Sequence, residues 1–397
     1  MTATSTNEQA FEALIEKALV GSTVEERGGF AAQAAEPAEQ YVGPNQFYWG
    51  NPGDFNDKLA IDTARLWSFI ERTQGDKLAT WAGRGKLRDS VEKAIKARID
   101  AAGTLEMLRN GLEIDNLVGE KKLVLFYPKP SAADSQTAQD DYAKNQFSIT
   151  RQVVTKTRGK AQIPDMTIFI NGLPVFCIEL KNPWTHQTAR YNGIKQLKED
   201  RDPREPLFAF GRCIAFFTFD KDEAFFTTRL QGDRTFIMPF NKGLPEGKGA
   251  GNPVNPNGHK TSYLWNCIFS KDSIADIIGN FAHIDYGEAK KGGVVAHTMK
   301  NAKRLIFPRF HQYDAVSRII WDVQEKGVGH RYLIQHSAGS GKSNSITWLA
   351  FKLLKATPDS MDAKRAKALN EQLFQTVIIV TDRKILDKQL TLNLQAF

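Results

Sequence analysis

The chain has 397 residues, enough for two or three domains, and an ordinary globular composition, 41% hydrophobic and 25% charged. It has no run of about eighteen apolar residues and no basic start with an apolar signal core, so neither a membrane span nor secretion is expected, and a cytoplasmic location is. Three scattered cysteines, Cys177, Cys213 and Cys267, read as buried thiols rather than a disulfide or zinc framework, and a net charge of +8 leans toward a nucleic-acid partner without deciding it.

Taken in order, Thr6 and Gln9 can form a capping box ahead of a helix whose Phe11, Leu14, Ile15, Ala18 and Leu19 share one face, with Gly21 placed to stop it. Glu8 and Glu12 border that stripe and, by periodicity alone, read as edge carboxylates. Residues 22–56 are rich in Gly, Ala and Pro and read as an irregular connection, whereas 58–111 are helical in pattern. Residues 121–128 read as a strand, 131–144 as a polar loop, and "QFSITRQVV" as a strand leading into a hairpin.

That hairpin organises the chain. Two apolar runs, 166–170 and 173–178, flank Asn171-Gly172, a strong two-residue turn signal. Asp165 precedes the first run, and Glu179 and Lys181 close the second on one shared face. Two carboxylates and an ammonium at one sheet end can serve Mg²⁺, since hard cations take oxygen ligands, and a lysine can offset charge on a phosphate. The bland alternative is a hairpin ending in solvated charges. Regular pairing from the turn would match 170 with 173 and 165 with 178, leaving Asp165 and Glu179 on opposite faces. A shared site therefore predicts a one-residue offset, and Pro174, which cannot donate to a ladder, points to a bulge.

The pattern Pro-Asp, thirteen residues, Glu-x-Lys resembles the core of PD-(D/E)xK nucleases, and "NQFSITRQV" with "IPDMTIFINGLPVFCIELKNP" resembles the restriction (R) subunit of type I restriction enzymes. The resemblance implies metal ligation by Asp165 and Glu179 and a catalytic Lys181. It also implies an acidic residue from the N-terminal helix, Glu12 or else Glu8, beside the metal. A Gln-x-x-x-Tyr pair is implied on the following helix. Counted from Lys181 the glutamine is Gln196, with Asp200 at the tyrosine position, while Gln187 and Tyr191 have the same spacing nearer the hairpin.

Helical pattern from Gln187 gives way to Phe-rich strands, "LFAFGRCIAFFTFD" and "AFFTTRL", whose rings read as core rather than base-stacking platforms. Residues 241–260 form a Gly-, Pro- and Asn-rich boundary, followed by a helical stretch, "KDSIADIIGNFAHI". Then "HRYLIQHSAGSGKSNSITWLAFKLL" reads strand, glycine loop, helix, the setting of a phosphate-binding loop. Ala338, Gly339, Ser340 and Gly341 can curl backbone N–H groups around phosphate, Lys342 can reach β- and γ-phosphates, and Ser343 can offer its hydroxyl to Mg²⁺. His336 stands where a first glycine is usual, yet S-A-G-S-G-K-S resembles motif I of superfamily 2 helicases. "FPRFHQYDAV" resembles their adenine-reading element, with Gln312 on the base, and "VIIVTDR", an expected strand, resembles motif Ia, with Thr381 and Arg383 on nucleic-acid backbone.

The expected fold is α/β: a restriction-endonuclease-like mixed sheet flanked by helices over 1–260, a connecting helical segment over 261–301, and a partial RecA-like P-loop domain over 302–397. The expected function is Mg²⁺-dependent cleavage of double-stranded DNA coupled to ATP-driven translocation, with methylase and specificity subunits as partners. A helicase–nuclease working without a methylase, or a non-catalytic DNA-docking unit, would use many of the same features. No Walker B acid or arginine finger is identifiable in the 397 residues, so nucleotide binding without efficient hydrolysis is expected.

Overall fold

The computed structural model describes residues 3–29, 47–81, 86–114, 121–131, 134–182, 186–286, 304–358, 372–381 and 390–391, with the side chains of 3–7 and 246 left aside. Its centre is a seven-stranded mixed sheet, β1 (Tyr48–Gly50), β2 (Phe147–Arg151), β3 (Met166–Ile170), β4 (Leu173–Leu180), β5 (Ala215–Phe219), β6 (Ala224–Thr227) and β7 (Met238–Pro239), in that spatial order. β1 runs parallel to β2 and β4 parallel to β5, and the other neighbours are antiparallel. Every residue of β2 to β6 is buried, which is why these strands are continuous apolar runs instead of alternating ones.

Asn171 and Gly172 both have positive φ, 51° and 83°, as a two-residue type I′ turn requires. Helix α2 (Thr63–Ala79) begins against this turn: Asp62 N–H donates to the Gly172 carbonyl at 2.9 Å, and a Cβ on Gly172 would lie 2.3 Å from the Asp62 oxygen. Only glycine fits there. The predicted offset is present. Ile170 pairs with Leu173 and Phe169 with Pro174, but Ile168 pairs with Phe176, so Val175 has no partner. Val175 and Phe176 consequently both enter the larger apolar core, and beyond the bulge Met166 faces Ile178.

That larger core packs Phe176, Phe217, Phe226 and Phe240 against Phe269 and Phe307, bearing out the reading of the phenylalanines as core. It continues through Phe281 to Tyr313 of α6 (Phe310–Lys326) and Trp348 of α7 (Lys342–Lys355), which follow α3 (Leu87–Asn110), α4 (Gln136–Ala143) and α5 (Lys271–Asp276), so one apolar cluster joins described residues before 260 to described residues after 303. A smaller core, with Phe169, Cys177, Leu197, Phe208 and Phe216, covers the opposite face.

Several local expectations change. Helix α1 runs Ala3–Val20, so Thr6 lies inside it and not at its start; Gly21, at φ 92° and with its N–H on the Lys17 carbonyl, ends it as expected. Its buried face is rotated: Glu12 and Glu16 lie inward while Leu14 is 40% exposed. Within 22–56, β1 pairs as an edge strand, and within 131–144 Ser135 caps a helix, Gln136–Ala143. Cys177 and Cys213 are buried as expected, but Cys267 is exposed. Neither 331–335 nor 377–380 forms a strand. No described strand lies beside them to complete a ladder, and Leu333, Ile378 and Val380 are 91%, 82% and 88% exposed.

Asn171 ties the turn to its surroundings. Its side chain accepts the Gln146 N–H at 2.7 Å and donates to the Leu125 carbonyl and to Asn145 Oδ1, all buried. Asn171→Ala should therefore lower unfolding free energy by about 2–4 kcal/mol, from αL strain plus stranded buried partners. Urea denaturation checks this, and a loss under about 1 kcal/mol would mean that the side chain does not hold the turn.

Candidate active site

Beyond the bulge Met166 pairs with Ile178, so Asp165 and Glu179, each the next residue along, lie on one side of the sheet, that of the smaller core. Glu179 is fully buried on β4, and Asp165 sits half-buried just before β3. The Leu180 N–H donates to Asp165 Oδ2 at 2.6 Å, and Lys181, also buried, directs its ammonium to the Leu180 carbonyl at 2.8 Å. Asp165, Glu179 and Lys181 thus converge on one sheet end.

The electrostatics are unusual for a structural hairpin. Burial pushes the Glu179 carboxyl up to about 7 against the pull of Arg201, with the Asp165 charge adding to the rise. Asp165 is raised by burial as well, opposed by Lys181, the Leu180 N–H and Arg201. Arg201 Nε donates to Glu179 Oε1 at 2.5 Å, while Glu179 Oε2 is buried with no hydrogen-bond partner among the described residues. An unsatisfied buried carboxylate oxygen beside a second, half-buried carboxylate is the donor set a hard cation wants. The residues therefore fit Mg²⁺. The set is small: among the described residues no group of three His, Cys, Asp or Glu side chains lies close enough to bind a metal together.

Helix α1 brings further carboxylates. Glu12 is 2% exposed and raised to about 7 by burial and then by Asp165, with Arg151 opposing. It is not the edge residue that periodicity indicated, yet its Oε2 faces Arg151 Nε at 2.8 Å, so its own partner is a guanidinium. Glu8 lies 3.9 Å from the Lys181 ammonium and is raised by burial, with Lys181 opposing and Asp165 adding. Both are at the site's edge. Gln196 is half-buried at the start of a π-helical turn, Gln196–Asp200, and no hydrogen bond among the described residues ties it to the carboxylates. Tyr191 is 74% exposed and Gln187 half-buried on the same stretch.

Arg151, Arg201 and Glu16 were missed by sequence reasoning. Arg151 is a buried charge ending an apolar strand, the one signal that could have marked it. It bonds Glu12, Glu16 (3.2 Å) and Glu25 (2.9 Å), while Arg27 takes the other oxygen of Glu16 at 2.5 Å. This network fastens α1 to β2.

At the second site Gly341, at φ 81°, caps α7, and Gly339 has φ 72°. Lys342 donates to the His336 and Ser337 carbonyls at 3.0 and 2.9 Å, across the loop. Ala338 is exposed, Ser340 is buried with a hydroxyl oxygen that has no partner among the described residues, and Ser343 is half-buried in the first turn of α7. Gln312, 3% exposed, accepts the Arg309 N–H and donates to the Gly341 carbonyl at 2.9 Å. In this geometry it braces the loop, with both amide ends used, and does not present itself to a base. Thr381 is half-buried outside any strand, and Arg383 lies outside the described residues.

Arg151→Ala would leave Glu12 and Glu16 buried without their shared cation and should cost about 3–5 kcal/mol of stability, with lysine a poor substitute for its fork of donors. Chemical denaturation checks this; a cost below about 1 kcal/mol would show that α1 is held by its apolar face alone.

The family described as "Type I restriction enzyme R protein N terminus" matches residues 83–235, and that described as "SWI2/SNF2 ATPase" matches 311–397. The chain is 27% identical over 256 residues to the type I restriction enzyme HindI endonuclease subunit of Haemophilus influenzae, covering 63% of this chain and 21% of that protein. Against the putative type I restriction enzyme MjaVIIIP endonuclease subunit of Methanocaldococcus jannaschii identity is 25% over 278 residues, covering 67% and 24%. A second protein of that organism, the putative MjaIXP endonuclease subunit, is 24% identical over 308 residues, covering 72% and 25%. The chain thus spans about a quarter or less of the length of these relatives. With the mixed sheet and the glycine loop following in the same order, residues 83–235 are similar to the N terminus of type I restriction enzyme R proteins and residues 311–397 to SWI2/SNF2 ATPases.

Proposed function

We propose that residues 1–260 form a Mg²⁺-dependent endonuclease acting on double-stranded DNA, that 261–301 connect it to the motor, and that 302–397 begin an ATP-driven translocase lobe. The complete protein would work with methylase and specificity subunits of a restriction–modification complex. The observation that carries this reading is the register shift at Val175, which puts Glu179 on the face of Asp165, with Glu179 Oε2 buried and unpartnered among the described residues.

In this reading Asp165 and Glu179 Oε2 hold Mg²⁺, while Arg201, bonded to Oε1, fixes the Glu179 carboxylate in one orientation. Mg²⁺ bound there supplies positive charge to the scissile phosphate and makes a water a better nucleophile. The Lys181 ammonium, at the same sheet end, offsets charge developing on the phosphate oxygens. Glu8, facing Lys181, keeps that ammonium in place between uses. At the second site the N–H groups opening α7, with Lys342 and Ser343, hold the phosphates of ATP and its Mg²⁺. Gln312, through Gly341, keeps the loop in shape for them. No described helix is long and apolar enough to cross a membrane.

In the full-length protein, Asp165→Ala or Lys181→Ala should cut cleavage of plasmid DNA at least about 100-fold, the scale of one lost electrostatic group, while ATP-driven movement along DNA persists. Lys342→Ala should do the reverse, losing nucleotide binding and movement. Cleavage retained in Asp165→Ala would make the hairpin structural.

Metal affinity should depend on pH with a defined sign. The Glu179 carboxyl, at about 7 in the folded metal-free protein, must ionise to take Mg²⁺. Affinity should therefore rise as pH increases toward about 7 and level off above it, by about tenfold between pH 6 and 8. Mn²⁺ titration followed by electron paramagnetic resonance measures this; equal affinities at the two pH values would remove Glu179 as a ligand.

A further inference from the structure

Between β2 and Asp165 the chain makes an excursion, residues 155–162, that the site as described does not use. Thr155 and Gln162 pair across its base, N–H to carbonyl in both directions at 3.0 and 2.9 Å. Its tip carries Lys156, Arg158 and Lys160, all exposed, and among the described residues none of the three forms an ion pair. A solvated basic turn would normally be soft. This one is not. Glu205, fully buried beneath it, accepts from Thr155 Oγ1 (3.2 Å), Thr157 N–H (2.9 Å), Thr157 Oγ1 (2.6 Å) and Arg158 N–H (2.6 Å). A buried carboxylate spent on one loop's backbone and hydroxyls fixes the path of that loop.

The same short segment that supplies Glu205 also touches the metal site. Arg201 bonds Glu179 by Nε and the Ile163 carbonyl by a terminal nitrogen at 3.1 Å, and Asp202 N–H bonds Gln162 Oε1 at 2.9 Å. Residues 201–205 therefore set the basic loop and a metal-binding carboxylate in one rigid frame. The nearby carboxylate, Asp202, is held by Arg204 through three side-chain hydrogen bonds and makes no ion pair with the tip among the described residues, although the Arg158 charge also reaches it. Gln162 precedes Asp165 by three residues, at most about 10 Å of chain, which is about three base steps at ~3.4 Å each.

We propose that the 155–162 loop grips the phosphate backbone of duplex DNA a few nucleotides from the scissile bond, and that the segment 201–205 sets the distance between grip and cut. This rests on the nuclease reading of the site and deepens it. Held cations lose little freedom on binding, so they convert directly into counterion release. The loop supplies position and not sequence preference, because phosphate contacts carry no base information.

The test uses full-length protein, a duplex without a recognition site, and Ca²⁺ in place of Mg²⁺, with fluorescence anisotropy read from 50 to 200 mM salt. Three phosphate contacts contribute about 2.7 to the slope of log K against log salt, or about 40-fold over this range. Lys156→Ala/Arg158→Ala/Lys160→Ala should lose about that much slope, and Lys156→Arg/Arg158→Lys/Lys160→Arg should keep it. In cleavage the alanine variant should show a raised KM for DNA with translocation rate intact. A wild-type slope in the alanine variant, or an equal loss in the charge-preserving one, overturns the inference. Failure of the nuclease reading would look different: cutting would then persist in Asp165→Ala whatever the loop does.

Discussion

Val175 has no partner on β3, and the position of Glu179 relative to Asp165 depends on that vacancy in the ladder. Beyond it the strand is shifted by one residue, so Glu179 moves from the face occupied by Ile178 to the face shared with Asp165. The turn cannot absorb the shift, because Asn171 is bonded to Gln146, Leu125 and Asn145 and Gly172 is pressed against Asp62. The apolar residues cannot reverse it either: Val175 and Phe176 both lie in the larger core, where Phe176 packs on Phe217 and Phe307. The hairpin is locked at both ends.

That lock holds carboxylates where folding alone would not place them. Glu179 and Glu12 are each raised to about 7, above the ordinary 4.5, so the folded chain holds protons that the unfolded chain has released. The sign is destabilising: without metal, stability falls as pH rises from about 4.5 to about 7. Arg201 and Arg151 limit the loss without cancelling it, since each bonds one oxygen of its acid and leaves the carboxyl raised. A cation binding to Asp165 and Glu179 would recover this energy, so the strain is stored where the proposed chemistry uses it.

Much of this was legible in the sequence. Asn-Gly between apolar runs marked the turn, and the parity of Asp165 and Glu179 required an offset that Pro174 could accommodate; the offset falls one residue further on, at Val175. The glycine loop and the helix after it were read from spacing and caps. What stayed hidden was tertiary. Glu12 looks peripheral by helical periodicity because the apolar stripe and the buried face of α1 differ by the space Arg151 occupies. Arg201 could not be matched to Glu179, 22 positions away, without the fold. Residues 331–335 and 377–380 have the composition of strands, but a strand is a paired object, and the described residues offer them no neighbour. Gln312 illustrates the same limit: its type was consistent with a base contact, and its two hydrogen bonds are to protein backbone.

The most direct measurement is an anomalous difference map of the protein crystallised with Mn²⁺. A single peak is expected between Asp165 and Glu179 Oε2, at distances close to the about 2.1 Å of Mg²⁺–oxygen bonds, with Arg201 still on Oε1. No peak at that sheet end, or a peak held by Glu8 and Glu12 without Asp165 and Glu179, would contradict the claim that the bulged hairpin builds the metal site.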